Sequence, residues 1–345
     1  MTESERETSE TPDGIRVGVM GSGAITQTVH LPTLSRLEGA SVVALSDTNR
    51  RKAETVAGRF GIPRVVSDQE ILDDPEIDAL VVSTPNHLHQ EQAIAGLEAG
   101  KHVLVERPLA FDGPGVEAVI EAAREAGRSV TVGMSHRYRP DVIALRSFVG
   151  GGELGTIHTV RGAWLNRTMP LARVTWRQKL EESGGGALMD LGVQVLDLCF
   201  WLLGYPEAER VVARIHPGEY EVEDAAVVTV MAKGGLTFQV EVTTSYFADE
   251  DRHFVRVMGT EGSGALPPLE VQKQLGGRPM DVTPIHPDEG HRENPYTSAH
   301  RRQLDHFIRS AAGEAESPLP EEQVRLMTLI QAAYRSAEEE KEVEL

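Results

Sequence analysis

A glycine-rich turn near the start of the chain is the first feature that could do chemistry. It reads Gly18-Val-Met-Gly21-Ser-Gly23-Ala-Ile-Thr26 and follows the apolar run IRVGVM (15–20). Glycines at 21 and 23 permit a tight turn and a close approach of the backbone to a diphosphate. A helix that begins here would add free N–H groups and the positive end of its dipole. Thr26 stands where glycine or alanine is usual, which predicts slightly crowded packing of strand and helix.

A carboxylate further along decides which dinucleotide suits this turn. Asp47 follows the apolar run SVVALS (41–46) and lies 26 residues after Gly21. There it can accept hydrogen bonds from the adenosine ribose hydroxyls, which favours NAD and repels the 2′-phosphate of NADP. Arg50 and Arg51 could hold that phosphate instead, or could be solvated helix residues. The sequence therefore predicts NAD and leaves NADP open.

A polar turn, Ser83-Thr84-Pro85-Asn86, ends another apolar run, IDALVVS (77–83). Ligands bind at the carboxyl ends of parallel strands, so this turn could line a cofactor channel. Asn86 could also cap the helix that follows. His87 and His89 come next, but no further ligands accompany them, so we predict no metal site.

The pattern around these residues predicts how they are positioned. Apolar runs at 15–20, 41–46, 77–83, 102–106 and 129–134 alternate with helix-like segments near 24–37, 50–60, 87–99 and 113–126. Repeated strand–helix–strand units predict a Rossmann-type α/β fold, a doubly wound parallel sheet with helices on both faces. We expect a disordered acidic tail over 1–13 and an NAD(P)-binding Rossmann domain over 14–136.

The pattern changes after residue 137. Helices are predicted near 140–150 and 187–203, and strands at 209–216, 223–232, 236–245 and 252–258, with a hairpin at Gly234-Gly235. Successive strands without helices between them predict an α+β domain over 137–345 with a large, mainly antiparallel open sheet. The segment 262–296 stays unassigned, and helices near 298–312 and 321–338 close the chain.

Composition excludes several classes of function. The chain has 345 residues, enough for two domains, and a formal net charge of −19, which argues against a nucleic-acid partner. It has no run of ~18 apolar residues and no secretory signal, so we expect no membrane span and a cytoplasmic location. The single cysteine, Cys199, cannot form a disulfide framework or a thiolate metal cluster and suits a buried position.

Several stretches together resemble the Gfo/Idh/MocA oxidoreductase family. AGKHVLVERPLA (99–110) resembles the segment with the family's Glu-Lys-Pro motif, and SGGGALMDLGVQVLDL (183–198) resembles its Asp-x-Gly-x-His-x-x-Asp run. GVMGSGAI, STPNHLH and GELGTI agree, so the resemblance covers the chain from about residue 15 to 345. It implies hydride transfer between NAD(P) and a sugar, polyol or related hydroxy compound. It also implies a homodimer or homotetramer formed through the C-terminal sheet.

Two positions depart from the family pattern. Arg107 stands for lysine in Glu106-Arg107-Pro108, and Gln194 stands for histidine after Asp190. Oxidation of an alcohol also removes its hydroxyl proton, a task that suits histidine or a desolvated lysine. Arginine stays charged and glutamine does not titrate. Arg107 could stabilise an alkoxide, polarise a carbonyl or clamp a carboxylate, and Gln194 could orient the substrate. Asp190, which the resemblance places in the substrate site, could act as the acid/base if its pKa were raised.

Other side chains could replace the missing imidazole or bind substrate, and each could instead be structural. Tyr138, His136 and Tyr246 are alternative acid/base candidates. Asp197 could support the site or be a buried polar residue. A loop-rich stretch offers aromatic and arginine side chains for a sugar or an acid, namely Trp164, Arg167, Arg173, Trp176 and Arg177.

The expected site residues fall into a catalytic group and a cofactor-binding group. The predicted catalytic group is Arg107, Asp190, Gln194 and Tyr138. The predicted cofactor contacts are Gly21, Ser22, Gly23, Ala24, Ile25, Asp47, Thr48, Arg51, Ser83, Thr84, Pro85, Asn86, His89, Glu106 and Arg107. The two departures leave alternatives open: a non-catalytic dinucleotide-binding or regulatory protein, and an enzyme that cleaves glycosides by transient oxidation with bound NAD.

Overall fold

The computed structural model describes residues 14–168, 174–284 and 294–345, which form two sheets and the helices around them. The tail expected over 1–13 and the candidate Arg173 lie outside the described residues.

The first sheet has six parallel strands in the order β3-β2-β1-β4-β5-β6. They are β1 (Ile15–Met20), β2 (Ala40–Ser46), β3 (Arg64–Val65), β4 (Ala79–Val82), β5 (His102–Val105) and β6 (Val130–Val132). This confirms the predicted doubly wound parallel sheet. The strand order reverses between β1 and β4, and the carboxyl ends of strands at such a switch point are where ligands bind.

Helices connect these strands, as the alternating pattern predicts. A π-helical turn (Thr26–His30) leads into α1 (Leu31–Leu34), followed by α2 (Arg50–Phe60), α3 (Asp68–Asp73), α4 (Asn86–Glu98) and α5 (Gly113–Ala126). Local capping fixes their ends: Asn49 accepts a hydrogen bond from the amide of Lys52 at the start of α2, and Asp112 does the same for Gly115 in α5.

The second sheet has nine strands in the order β14-β13-β12-β11-β7-β10-β9-β8-β15. They are β7 (Ile157–Arg167), β8 (Ala208–Pro217), β9 (Glu223–Ala232), β10 (Leu236–Tyr246), β11 (Arg252–Gly259), β12 (Gly262–Leu266), β13 (Glu270–Leu275), β14 (Arg278–Asp281) and β15 (Val343–Glu344). All neighbouring pairs are antiparallel except β7 and β10. The mainly antiparallel open sheet is therefore confirmed. Three of its strands, β12 to β14, come from the segment that the sequence left unassigned.

The remaining helices are α6 (Pro140–Gly150), α7 (Leu180–Ser183), a π-helical turn (Leu188–Gly192) that continues into α8 (Val193–Leu202), α9 (Pro295–Ala311) and α10 (Glu322–Glu339). Helix α8 packs against β7 and helix α10 against β8, so both cover the second sheet. The stretch Leu180–Leu202 is long and apolar enough to cross a membrane, but most of it is buried inside the fold, as in a core helix.

Helix α9 packs where sequence order does not place it. Although it follows the second sheet in the chain, its residues Leu304, Phe307 and Ile308 join the hydrophobic core that includes Val17 and Val19 of β1. The C-terminal part of the chain therefore completes the core of the first sheet and brings α9 close to the carboxyl ends of its strands.

Candidate functional site

The glycine turn after β1 is shaped for a close backbone approach. Gly21 has a φ of 94°, and a Cβ at this position would lie 2.7 Å from the carbonyl oxygen of Ser83, so a larger residue does not fit. A Cβ at Gly23 would meet nothing nearer than the same oxygen at 3.9 Å, which leaves room beside the turn. The Thr26 hydroxyl donates to the Gly21 carbonyl at 2.8 Å and lies 2.6 Å from the Ser83 hydroxyl, so it holds the two turns together.

Asp47, directly after β2, fixes the glycine turn. Its Oδ2 accepts from the Ser22 amide at 2.9 Å and the Ser22 hydroxyl at 2.6 Å, and lies 3.2 Å from Nζ of Lys52. Its Oδ1 accepts from the Asn49 amide at 2.8 Å. Burial raises the pKa of Asp47, but the hydrogen bonds from Ser22, Asn49 and Lys52 outweigh it and leave the pKa below its ordinary value. The carboxylate is therefore ionised, and Oδ1 keeps a lone pair that a ribose hydroxyl could use.

Sequence reasoning missed Lys52 because it considered only the two arginines before it. Arg50 pairs with Glu54 at 3.0 Å on the surface, and Arg51 is exposed, as is Thr48. Within the turn itself, Ser22 is buried, whereas Ala24 is exposed. Lys52 therefore contacts the Asp47 carboxylate, whereas Arg51 is exposed to solvent.

The turn after β4 links the two halves of the chain. Asn86 does not cap helix α4: Pro85 occupies the capping position without a side-chain hydrogen bond, and Asn86 is the first helical residue. The Asn86 amide instead donates to the carbonyl of Ser183 at 2.9 Å. His89 is buried, with its ring nitrogens 2.8 Å from the Pro108 carbonyl and 2.9 Å from the Thr84 carbonyl. His89 therefore positions two turns against each other, and burial lowers its pKa.

The turn after β5 carries a buried anion. Glu106 lies with Oε1 at 2.9 Å from Nε2 of His30 and Oε2 at 3.2 Å from Nη1 of Arg107. Burial raises the pKa of Glu106, but the hydrogen bond from His30 and the charges of His30, Arg107 and His300 lower it to about 2. Sequence reasoning missed His30 and His300, because nothing in the local pattern connects them to Glu106.

Two of the four predicted catalytic residues, Arg107 and Asp190, pair here, and Gln194 lies one helical turn after Asp190. Nη2 of Arg107 lies 3.6 Å from Oδ1 of Asp190, and the Asp190 side chain is 43% exposed, so it faces solvent. Gln194 is buried, and its amide donates to the Asp190 carbonyl at 3.1 Å. The arrangement places a permanent cation between two carboxylates, with no titrating group at position 194.

The helix that carries Asp190 is held by a residue that the sequence did not single out. Glu223, at the start of β9, accepts from the amides of Gly186 at 2.8 Å and Leu188 at 2.9 Å and from the hydroxyl of Tyr334 at 2.8 Å. A Cβ at Gly186 would lie only 1.9 Å from the Glu223 carbonyl oxygen. Glu223 therefore satisfies free N–H groups at the start of the helix and so fixes the position of Asp190.

A cleft of about 560 Å³ opens beside Asp190 at one end of the second sheet. Of the predicted loop residues, Arg167, Trp176 and Arg177 line it, and the guanidinium of Arg177 lies 4.3 Å from the centroid of the Trp176 ring. Trp164 instead packs edge-on against His136, with ring centroids 5.1 Å apart. The cleft thus offers an aromatic face and cationic groups next to the Arg107–Asp190 pair.

The remaining acid/base candidates lie elsewhere or are enclosed. Tyr138 packs on His306 with ring centroids 5.8 Å apart and lines a separate cavity, so the structure does not bring it to Arg107. His136 is buried, and burial together with the charges of Arg139 and Arg107 lowers its pKa to about 3. Tyr246 stacks under Arg252 at 5.9 Å on the second sheet.

The sequence left two roles open for Asp197, a support of the site or a buried polar residue. The structure shows a buried polar residue. It accepts from Nε of Arg137 at 2.8 Å, from the amide of Gln323 at 3.0 Å and from the hydroxyl of Tyr205. These contacts join α8 to the turn before α6 and to α10, so Asp197 stabilises the fold at a distance from the cleft.

Comparisons with known proteins agree with this arrangement. The family described as an oxidoreductase family with an NAD-binding Rossmann fold matches residues 15–134, and the C-terminal alpha/beta domain of the oxidoreductase family matches residues 146–345. The chain is 27% identical to D-glucoside 3-dehydrogenase of Escherichia coli, over 97% of this chain and 99% of that protein. It is 30% identical to inositol 2-dehydrogenase of Agrobacterium fabrum, over 88% of each. A solved complex of levoglucosan dehydrogenase with NADH has a TM-score of 0.85 at 25% identity, covering 96% of this chain and 99% of that one.

Proposed function

We propose a function from one premise: this chain belongs to the Gfo/Idh/MocA oxidoreductase family. It transfers a hydride between NAD and a carbon that bears a hydroxyl group in a sugar, polyol or related compound. The observation that carries this proposal is the Arg107–Asp190 pair at 3.6 Å. Arg107 follows β5 of the nucleotide-binding sheet, and Asp190 lines the cleft.

The cofactor binds at the switch point between β1 and β4. Backbone amides from Gly23 onward hold its diphosphate, because the amides of Gly21 and Ser22 already donate to Ser46 and Asp47. Asp47 accepts from the adenosine ribose, and the turn at 83–86 lines the channel. The space beside Gly23 and the ionised state of Asp47 fit such a group. NAD is preferred over NADP because the Asp47 carboxylate repels a 2′-phosphate. When bound, the nicotinamide supplies the hydride acceptor or donor.

The residues around the cleft then have separate roles in charge stabilisation and substrate binding. Arg107 stabilises negative charge on the substrate oxygen, because its guanidinium is charged at every relevant pH. Asp190 accepts a hydrogen bond from a substrate hydroxyl, and Gln194 holds the Asp190 backbone in place. Trp176 and Arg177 contact more distant parts of a carbohydrate-like substrate. The relatives that act on glucosides, inositol and levoglucosan support this class of substrate.

The open face of the second sheet is the surface through which the chain forms a homodimer or homotetramer. Along β9, Val228 and Val230 are buried, but Val227 on the opposite face is 51% exposed. A broad sheet face with exposed apolar side chains favours burial against a second copy. Light scattering coupled to gel filtration tests this, and a monomer at micromolar concentration would contradict it.

The decisive experiment measures binding and turnover separately. NADH and NADPH affinities are measured by fluorescence, and sugars and polyols are then screened by absorbance of the reduced nicotinamide. Turnover supports the proposal, and NADH binding without turnover of any compound contradicts it. Glycoside cleavage without net NADH would replace it by the transient-oxidation alternative.

A double reversion examines the roles of Arg107 and Gln194. Arg107→Lys combined with Gln194→His restores the usual family residues, and Arg124→Lys on the exposed face of α5 serves as the matched surface control. If the present residues form a working site, the reversion lowers kcat while the control leaves it unchanged. If the reversion creates activity that the parent lacks, the parent is a catalytically altered relative.

A further inference from the structure

We propose that His300 is the acid/base residue that exchanges a proton with the substrate hydroxyl. This inference rests on the proposed function and completes it, because neither Arg107 nor Gln194 can accept a proton. His300 lies in the first half of α9, which the sequence analysis assigned only as a closing helix.

The hydrogen bonding of His300 leaves one ring nitrogen available. Nδ1 lies 2.8 Å from the carbonyl oxygen of Tyr296, and a carbonyl only accepts, so Nδ1 carries the proton. Nε2 then holds the lone pair, and among the described residues none forms a hydrogen bond with it. A ring with one nitrogen committed to the backbone and the other free is what a general base requires.

The packing of α9 places this ring at the catalytic end of the nucleotide-binding sheet. Gln303, three residues on and therefore on the same face of the helix, donates to the carbonyl of Val132 at 2.9 Å. Val132 pairs in register with Val105, the residue directly before Glu106 and Arg107. Helix α9 also contacts the turn that ends at His30 and the turn that carries His136.

The groups that face His300 from these elements set its charge state. Burial lowers the pKa of His300 below its ordinary value, the hydrogen bond to Tyr296 and the charge of Glu106 oppose this, and the charges of His30 and Arg107 add to it. The charge of His300 in turn lowers the pKa of His136. The ring is therefore neutral near pH 7 and ready to accept a proton, while the nearby Glu106 carboxylate favours the imidazolium that results.

Other candidates serve this role less well. His136 is 9% exposed and is enclosed edge-on by Trp164 and Tyr296. Tyr138 lines the separate cavity, and Asp190 is paired with Arg107. His300 combines partial exposure with a free ring nitrogen, which the other three do not share.

In the oxidative direction the substrate O–H bond breaks and its proton moves to Nε2 of His300. NAD, when bound, would supply the acceptor for the C–H hydrogen and its electron pair, which balances formation of the carbon–oxygen double bond. Arg107 keeps its charge throughout and stabilises the oxygen, and the His300 imidazolium then releases its proton to solvent.

The test variant is His300→Asn, because an asparagine amide can still donate to the Tyr296 carbonyl but lacks the second nitrogen. We expect kcat to fall about 10²–10⁴-fold and the acidic limb of the kcat–pH profile to disappear, with NADH affinity unchanged. The matched control is His306→Asn on the same helix, beside the separate cavity, which should change neither. Unchanged NADH affinity also shows that each variant is folded.

A second measurement examines the free protein without turnover. Long-range ¹⁵N–¹H spectra, with His300 identified by its loss in His300→Asn, should show the Nδ1–H tautomer near neutral pH. An Nε2–H tautomer, or a variant that keeps its kcat and acidic limb, overturns the assignment of His300 alone. Failure of the parent to turn over any sugar or polyol, with NADH bound, overturns the proposed function as well.

Discussion

The buried carboxylate of Glu106 should make the stability of the fold depend on pH in a way that one substitution can isolate. Its pKa falls from the ordinary 4.5 to about 2 in the fold, although burial alone would raise it. At ~1.4 kcal/mol per pKa unit, this corresponds to about 3 kcal/mol of folding free energy. Because the folded-state pKa is the lower one, this contribution is complete above about pH 5 and is lost as pH falls towards 2, with about 1.4 kcal/mol left at pH 3.

Glu106→Gln removes the ionisable group and keeps the shape of the side chain. We expect urea unfolding at pH 7 to show the variant about 3 kcal/mol less stable, and this difference to shrink by about half between pH 7 and pH 3. Glu121→Gln is the control, because Glu121 pairs with Arg124 on the exposed surface and should change stability by less than about 1 kcal/mol. Parallel stability–pH curves for the parent and Glu106→Gln would refute the reasoning, since they would mean that the Glu106 proton is bound equally in both states.

Three further substitutions test the supports of the site. Asp197→Asn removes one of the two carboxylates that pair with Arg137, while Glu322 remains, and should cost about 1.5–3 kcal/mol in urea unfolding. A loss below about 1 kcal/mol would contradict the role given to Asp197. Glu223→Gln should lower the free energy of unfolding by about 1–3 kcal/mol and raise the substrate KM, because the Gly186 amide loses a charged acceptor. An unchanged KM would show that Glu223 does not influence substrate binding in the cleft. Gly21→Ala should weaken NADH binding at least about tenfold in fluorescence titration through its strained φ, and an unchanged affinity would place the diphosphate elsewhere.

The fold could largely be predicted because its signals are local. The runs that became β1, β2, β4, β5 and β6 are apolar and regularly spaced, and the glycines of the first turn are where a parallel sheet needs them. Strand β3 was missed because Arg64–Val65 has only two residues, too few for a period to show. The place of α9 could not be predicted either, since the amphipathic pattern with Leu304 and Phe307 does not say which sheet they cover.

The site residues also divide into those that local motifs predict and those that only tertiary packing brings in. Arg107, Asp190 and Gln194 stand out because they occupy motif positions, and the structure pairs Arg107 with Asp190. His30 lies 76 residues before Glu106, in a short helix where no sequence feature predicts a contact with that carboxylate. His300 joins the site only through the packing of α9, so its role depends on tertiary structure that a single sequence does not reveal.

The two departures from the family pattern make physical sense together. A guanidinium presents a planar fork of donors, so Arg107 reaches Glu106 at 3.2 Å and Asp190 at 3.6 Å at once, whereas a lysine offers one point charge. Neither residue can take the substrate proton, since arginine stays protonated and glutamine does not titrate. Gln194 adds no charge and still donates to the Asp190 carbonyl. On this reasoning, proton transfer passes to a histidine whose cationic form a carboxylate stabilises, and His300 beside Glu106 meets that condition.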